Sequence, residues 1–308
     1  SLKNLIYSNY MLNGDAKLNI LQKIFWIISN FFRNLDFKKI DETYWKNLNL
    51  KDKDLKNEFH EINFLSSPSR VCCDLFWHNL PWNYISKVLG NNINAIEVGC
   101  GTGRYGNLLA NLIKNFNYLG CDVNKKDIWD SRAKPNIKFK VINSDHIYNE
   151  LKQKNFLFTQ SAVEHFENDF LFFKNIQTYI KSTKKPFLQI HLLPSTFCLW
   201  KYLTHGYRQY STSKISELYN TFWKNEFFVT FSLGGKNCNI QHIVDITIPM
   251  ITKKIDYRIK SPKNYEARVK NSISKDLKIL NPKGASFYAL FIFSNINKTN
   301  ENFKINIF

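Results

Sequence analysis

The residues with the greatest capacity for chemistry lie in one stretch, residues 95 to 106, which reads AIEVGCGTGRYG. Its glycines follow a short apolar run directly, an arrangement that lets a ligand approach the backbone and opens a helix whose first N–H groups are unpaired. Two registers compete. Gly101, Gly103 and Gly106 spell the G-x-G-x-x-G of a pyrophosphate-binding turn, whereas Gly99, Gly101 and Gly103 spell G-x-G-x-G. In a pyrophosphate site the first glycine follows the strand at once, because it makes the tight turn. Here that glycine is Gly99, and the third position of its fingerprint then falls on Arg104. Glu97 separates the readings further. A carboxylate beside the loop repels a pyrophosphate and suits a ligand carrying an ammonium or sulfonium charge. The stretch therefore favours a cationic, adenosine-containing ligand.

Such a loop needs a strand before it and a helix after it. From Asn94 onward, short apolar runs alternate with helical segments, the pattern of a βαβ sheet. Strands are expected at Ala95 to Val98, YLGCD ending at Asp122, IKFKVI from Ile137, FLFTQ ending at Gln160, PFLQIHLL stopping at Pro194, FFVTFSL and SFYALFIFSNI. The first helix is expected to present Leu108, Leu109, Leu112, Ile113 and Phe116 on one face. The fold class is thus α/β, a Rossmann-like doubly wound seven-stranded sheet whose last strand is antiparallel, with an N-terminal helical extension. Residues 1–90 read as that extension, and 91–308 as the sheet domain with an insertion near 236–284. Within the extension, Leu18, Leu21, Phe25, Ile28, Phe32 and Leu35 recur at the spacing of one helix face. This stripe of the 17–35 helix is expected to pack on the sheet domain or on a second copy in a homodimer, the other reading being peripheral membrane contact. Lys38 to Glu61 reads as a linker or surface helices. SSPSRVCCDLFWHNLPWNYISKVLG reads as two helices broken at Pro81, with Trp77, His78 and Trp82 expected to pack against the domain, the other reading being stacking on a substrate.

An apolar fraction of 44% and a charged fraction of 22% describe an ordinary globular chain. The net charge of +18 points towards nucleic acid or an anionic membrane, but of 43 basic residues only seven are Arg. Phosphate grips favour the planar Arg fork, so the charge reads first as a Lys-solvated surface. The six cysteines form no C-x-x-C pair and no zinc spacing, so no metal is expected. Cys100 and Cys121 suit buried thiols in a reducing compartment. With neither a signal peptide nor a membrane-length apolar run, a cytoplasmic location is expected.

EVGCGTGRYG, GCDVN, NSDH and QSAVEHFEND, in that order, resemble the class I S-adenosylmethionine-dependent methyltransferases. The resemblance covers roughly residues 65 to 235 plus the last strand. It implies S-adenosyl-L-methionine as cofactor, with Gly99, Gly101 and Gly103 lining its methionine part and Glu97 joining the amino-group network. Asp122 would accept hydrogen bonds from the ribose hydroxyls, a role open to a carboxylate. Asp145 would meet the adenine amino group with His146 alongside, and Gln160 and Ser161 would reach the methionine end. Asn155 departs from the family, whose members often begin the fourth strand with Asp.

Methyl transfer asks the protein to align the acceptor and, for a hydroxyl, to remove its proton. His165, His191 and His205 are the candidate catalytic bases. His165 is equally suited to capping the next helix, and His191 to being a core histidine at a strand end. His205 belongs to HGYRQYS, which resembles the H-x-R-x-(Tyr/Phe)-Ser segment of small-molecule and sugar methyltransferases. There Tyr207, Arg208 and Tyr210 would bind an anionic or sugar acceptor, or pin the segment to the sheet. The expected activity is O-methylation of a sugar, glycan precursor or other small molecule. The alternative is a tRNA or rRNA methyltransferase, suggested by the charge but opposed by the scarcity of Arg and the lack of an RNA-binding module.

Overall fold

The computed structural model describes residues 11–35, 44–50, 62–202 and 204–296. Its strands are β1 (Trp45–Lys46), β2 (Ile93–Val98), β3 (Phe116–Asp122), β4 (Ile137–Val141), β5 (Phe156–Gln160), β6 (Phe187–Pro194), β7 (Phe227–Leu233) and β8 (Phe287–Ser294). The described residues fall into two compact units. One takes in Leu80–Leu193, Glu217–Val229 and the chain from Leu290; the other takes in the chain to Asn79, Pro194–Ser216 and Thr230–Ala289.

The first unit holds the βαβ core. Its strand order is β7-β8-β6-β5-β2-β3-β4. The strands from β2 to β6 pair in parallel, with Glu97 opposite both Gly120 of β3 and Phe158 of β5. β8 runs against β6, because Asn295, just past its end, donates to the carbonyl of Lys185, just before the start of β6. Every residue of β5, β6 and β8 is buried. Such continuous apolar runs are what a sheet covered on both faces requires, and alternation would be wrong for it. The chain passes from β2 outward to β3 and β4, then returns to the other side of β2 as β5. The order therefore switches between β2 and β5, and in open α/β sheets ligands bind outside the carboxyl ends of the strands at such a point. Gly99 leaves one of these strands and Ser161 the other.

In the second unit, β1 lies parallel to the end of β7, pairing Trp45 with Thr230. This eighth strand falls within the stretch read as a linker, whose residues 38–43 and 51–61 lie outside the described residues. Residues 236–284, read as an insertion, are largely helical: Lys236–His242, Ile248–Lys253, Tyr257–Lys260 and Pro262–Leu277. The carboxylate of Asp276, on the last of these, accepts from the backbone N–H groups of Asn237 and Cys238 at 3.0 and 2.8 Å. A cap supplied from forty residues downstream leaves no local signature, which is why the sequence pattern here is opaque.

Helix α1 (Ile20–Arg33) begins with a capping box between Asn19 and Gln22. Its apolar stripe does not pack on the rest of the described chain. Leu21, Phe25, Ile28 and Phe32 are exposed, and the buried residues are Trp26, Ser29 and Asn30. Hydrogen bonding decides the orientation: the Trp26 indole N–H donates to the Gly206 carbonyl at 3.0 Å, and the Asn30 amide donates to the Tyr207 carbonyl at 3.4 Å. Phe116, expected on a helix face, begins β3 instead, since the helix Arg104–Leu112 ends at the extended Ile113. Trp77 and Trp82 are buried, in line with packing. All six cysteines are free and buried.

Candidate active site

The glycine loop leaves β2 with Gly99, Gly101 and Gly103 all in the left-handed region, at φ of 74°, 52° and 72°. L-residues with a Cβ avoid that region. At Gly99 a Cβ would also lie 2.4 Å from the Cβ of Ala162, just past β5, and at Gly103 it would enter the Phe139 ring. The loop is thus fitted closely against both neighbours, in the G-x-G-x-G register. Gly106, the last glycine of the competing register, lies within the helix Arg104–Leu112.

Two carboxylates flank this loop. The Asp122 Oδ2 accepts from the Gly101 N–H at 2.8 Å, and its Oδ1 faces the Asn124 N–H at 3.3 Å. Glu97 is buried within β2 and accepts a hydrogen bond from the Tyr118 hydroxyl at 2.5 Å. Their field is felt by their neighbours. Burial and then the charges of Glu97 and Asp122 push the Cys100 thiol up. Burial and Glu97 push the Tyr118 phenol well above its ordinary value. Both groups stay neutral.

Two side chains missed by sequence reasoning fasten the loop from outside. The Trp129 indole donates to the Gly101 carbonyl at 2.7 Å, and Arg132 donates to the Thr102 carbonyl at 2.7 Å. Trp129 in turn stacks on Phe139, with ring centroids 5.1 Å apart. Both donors belong to the five-residue helix Ile128–Arg132, too short to show periodicity, so the sequence offered no signal beyond an unusual Trp.

Asp145 and His146 are exposed on the 3₁₀ turn Ser144–Glu150 that follows β4. Gln160 is buried at the end of β5. Ser161 has a φ of 51°, a strained conformation for a residue with a Cβ, at the carboxyl edge of the sheet. His165 closes the turn Val163–His165, with its Nε2 3.9 Å from the Oε1 of the buried Glu164. Glu97, the three loop glycines, Asp122, Asp145, His146, Gln160, Ser161 and His165 all belong to the first unit.

His191 does not serve as a base in this structure. It is fully buried in β6, where its Nδ1 lies 3.0 Å from the Thr159 hydroxyl of β5. Phe173 meets its ring edge-on at 5.1 Å, and Trp223 lies parallel to it at 6.3 Å. Burial lowers its pKa to about 3, so it remains neutral. A continuously buried strand leaves no wet face for a catalytic side chain.

The HGYRQYS segment belongs to the second unit. His205 Nδ1 lies 3.2 Å from Asp15 Oδ1, and Asp15 Oδ2 accepts from the Gly206 N–H at 3.2 Å. Gly206 is left-handed, and its carbonyl accepts from Gly14 N–H at 2.7 Å. The segment is therefore strapped to residues 14 and 15 and to α1. Asp15 was not foreseen, because the pairing spans 190 residues of sequence. Arg208 is buried, with its guanidinium 5.9 Å from the Tyr207 ring centre. Tyr210 is a core residue rather than an acceptor contact: it is fully buried, and its N–H donates to the Pro194 carbonyl.

No family profile matches the chain, and no curated protein matches it. Solved structures similar to it include the plantazolicin methyltransferase BamL, at 15% identity over 79% of this chain and 89% of that one, with a TM-score of 0.45. A SAM-dependent methyltransferase from Archaeoglobus fulgidus is similar at 16% identity over 75% and 96% of the two chains, with a TM-score of 0.44. Coclaurine N-methyltransferase is similar at 13% identity over 95% and 94%, with a TM-score of 0.42.

Proposed function

We propose that the chain is an S-adenosylmethionine-dependent methyltransferase acting on oxygen of a sugar, glycan precursor or other small molecule. The observation that carries this reading is the pair of carboxylates, Glu97 and Asp122, set about a left-handed glycine loop at the topological switch of a parallel sheet. A pyrophosphate finds repulsion there, whereas a cationic nucleoside finds an anionic site and a carboxylate for its ribose diol. When bound, S-adenosylmethionine supplies a methyl group already activated by its sulfonium.

The residues of this chain then have separate tasks. Glu97 takes the donor's ammonium, and Tyr118 holds Glu97 in place. Asp122 takes the ribose hydroxyls, Asp145 and His146 the adenine, and Gln160 and Ser161 the methionine end. His205, oriented at Nδ1 by Asp15, takes the proton of the acceptor hydroxyl at its other ring nitrogen. Tyr207 and Arg208 hold the acceptor.

Titration calorimetry of the full chain with S-adenosylmethionine, followed by a turnover assay against nucleotide sugars, glycans and RNA, tests the reading. Saturable binding and methylation of a hydroxylated small molecule support it. Failure to bind the donor overturns it, and turnover with RNA alone overturns the acceptor class.

A further inference from the structure

Helix α1 turns its polar side inward and its apolar side outward, the reverse of an ordinary surface helix. At 3.6 residues per turn, Ile20, Leu21, Ile24, Phe25, Ile27, Ile28, Phe31 and Phe32 occupy an arc of about 160°. All eight are exposed, from 40% at Ile27 to 77% at Ile20 and Leu21. Trp26, Ser29 and Asn30 fill the opposite side, and bonds from Trp26 and Asn30 to the carbonyls of Gly206 and Tyr207 fix the helix in this orientation. Rotation that would bury the apolar face breaks these bonds.

We infer that α1 lies in the surface of an anionic lipid bilayer with this face immersed. Three observations favour that occupant over a second copy of the chain. The arc is far wider than the two-position seam that a helix pair covers, so a partner helix would leave much of it wet. The face includes Phe25, Phe31 and Phe32, the bulky residue type found on interfacial helices. The cations Lys17 and Lys23 are exposed beside it, on a chain of net charge +18, which complements anionic headgroups. At 14 residues α1 is about 21 Å long, too short to cross a bilayer, and no described helix is long and apolar enough to do so. The inference stands independently of the methyl-transfer reading.

Co-sedimentation of the full chain with phosphatidylcholine–phosphatidylglycerol vesicles, and with phosphatidylcholine vesicles alone, tests it. Binding to the mixed vesicles is expected, weaker on the neutral ones and weakened by salt. The triple variant Ile24→Gln, Phe25→Gln, Ile28→Gln is expected to bind at least about tenfold more weakly, with an unchanged Tm because these side chains are exposed. Should that variant not fold, the pair Lys17→Glu, Lys23→Glu is expected to lose affinity for the mixed vesicles alone. Sedimentation-velocity runs without lipid supply the opposing outcome. A wild-type dimer that the triple variant converts to monomer, or equal vesicle binding by wild type and variants, overturns the inference.

Discussion

Asp122 accepts a hydrogen bond from the Gly101 N–H at 2.8 Å, so the residue that ends β3 also sets the shape of the loop that follows β2. The contact leaves the carboxylate with lone pairs for a diol while holding it beside the glycines. Hydrogen bonds to a charged group contribute about 1.5–3 kcal/mol each. Losing two of them, Asp122→Ala is expected to weaken S-adenosylmethionine binding at least about 100-fold by calorimetry. Undiminished affinity in a folded variant would remove Asp122 from the donor site.

Glu97 gives a sharper test, because it isolates charge from shape. Glu97→Gln keeps an oxygen for the Tyr118 hydroxyl and removes only the negative charge. Loss of a buried ionic contact to an ammonium is expected to weaken S-adenosylmethionine about tenfold or more, while adenosine, which carries no ammonium, binds as before. Equal losses for the two ligands would mean that Glu97 acts through loop structure alone. Tyr118→Phe strips a hydrogen bond from a buried carboxylate and is expected to lower stability by about 1–3 kcal/mol in urea denaturation.

Much of this site was legible in the sequence because it is local. FLFTQ and FFVTFSL coincide with β5 and β7, and the Gly99 register could be chosen by counting from the end of an apolar run. What was hidden depends on partners far along the chain. Asp15 reaches His205, Asp276 caps a helix that starts at Lys236, and β1 finds β7 across about 180 residues. The orientation of α1 was hidden for a different reason. Periodicity marks an apolar face without stating what lies against it, and here the bonds of Trp26 and Asn30 turn that face away from the fold. His191 shows the converse limit, since a histidine in a fully buried run reads the same as one at a wet strand end.

The Asp15–His205 pair predicts a division between rate and binding. His205→Ala is expected to lower kcat about 100-fold or more with an oxygen acceptor. Asp15→Asn keeps an acceptor for the Gly206 N–H but weakens the hold on His205 Nδ1, and is expected to lower kcat about tenfold. In both variants KM for S-adenosylmethionine is expected to stay as in the wild type, because the role proposed for the pair is towards the acceptor. His165→Ala, whose ring Nε2 lies 3.9 Å from Glu164 Oε1, is expected to retain most turnover. A hundredfold loss in His165→Ala alongside normal His205→Ala turnover would reverse the assignment.

Stability is expected to fall as the solution is acidified below neutrality, and the two histidines buried among the described residues, His191 and His242, set the range. Burial lowers His191 to about 3, and burial with the charges of Lys201 and Arg258 lowers His242 to about 4. In the unfolded chain both titrate near the ordinary value of about 6.5. Above that pH both states are neutral and the histidines add no dependence. Below it the unfolded chain takes up protons that the folded chain refuses, so unfolding gains about 1.4 kcal/mol per pH unit for each histidine. The penalty grows down to the folded-state values and then levels off. Urea denaturation from pH 7.5 to 5 should therefore show a steep loss in the wild type. His191→Asn, which retains a partner for the Thr159 hydroxyl, should start less stable at neutral pH and lose close to one proton's worth of slope. An unchanged slope in that variant would mean that His191 is charged in the folded protein, contrary to its burial against Phe173 and Trp223.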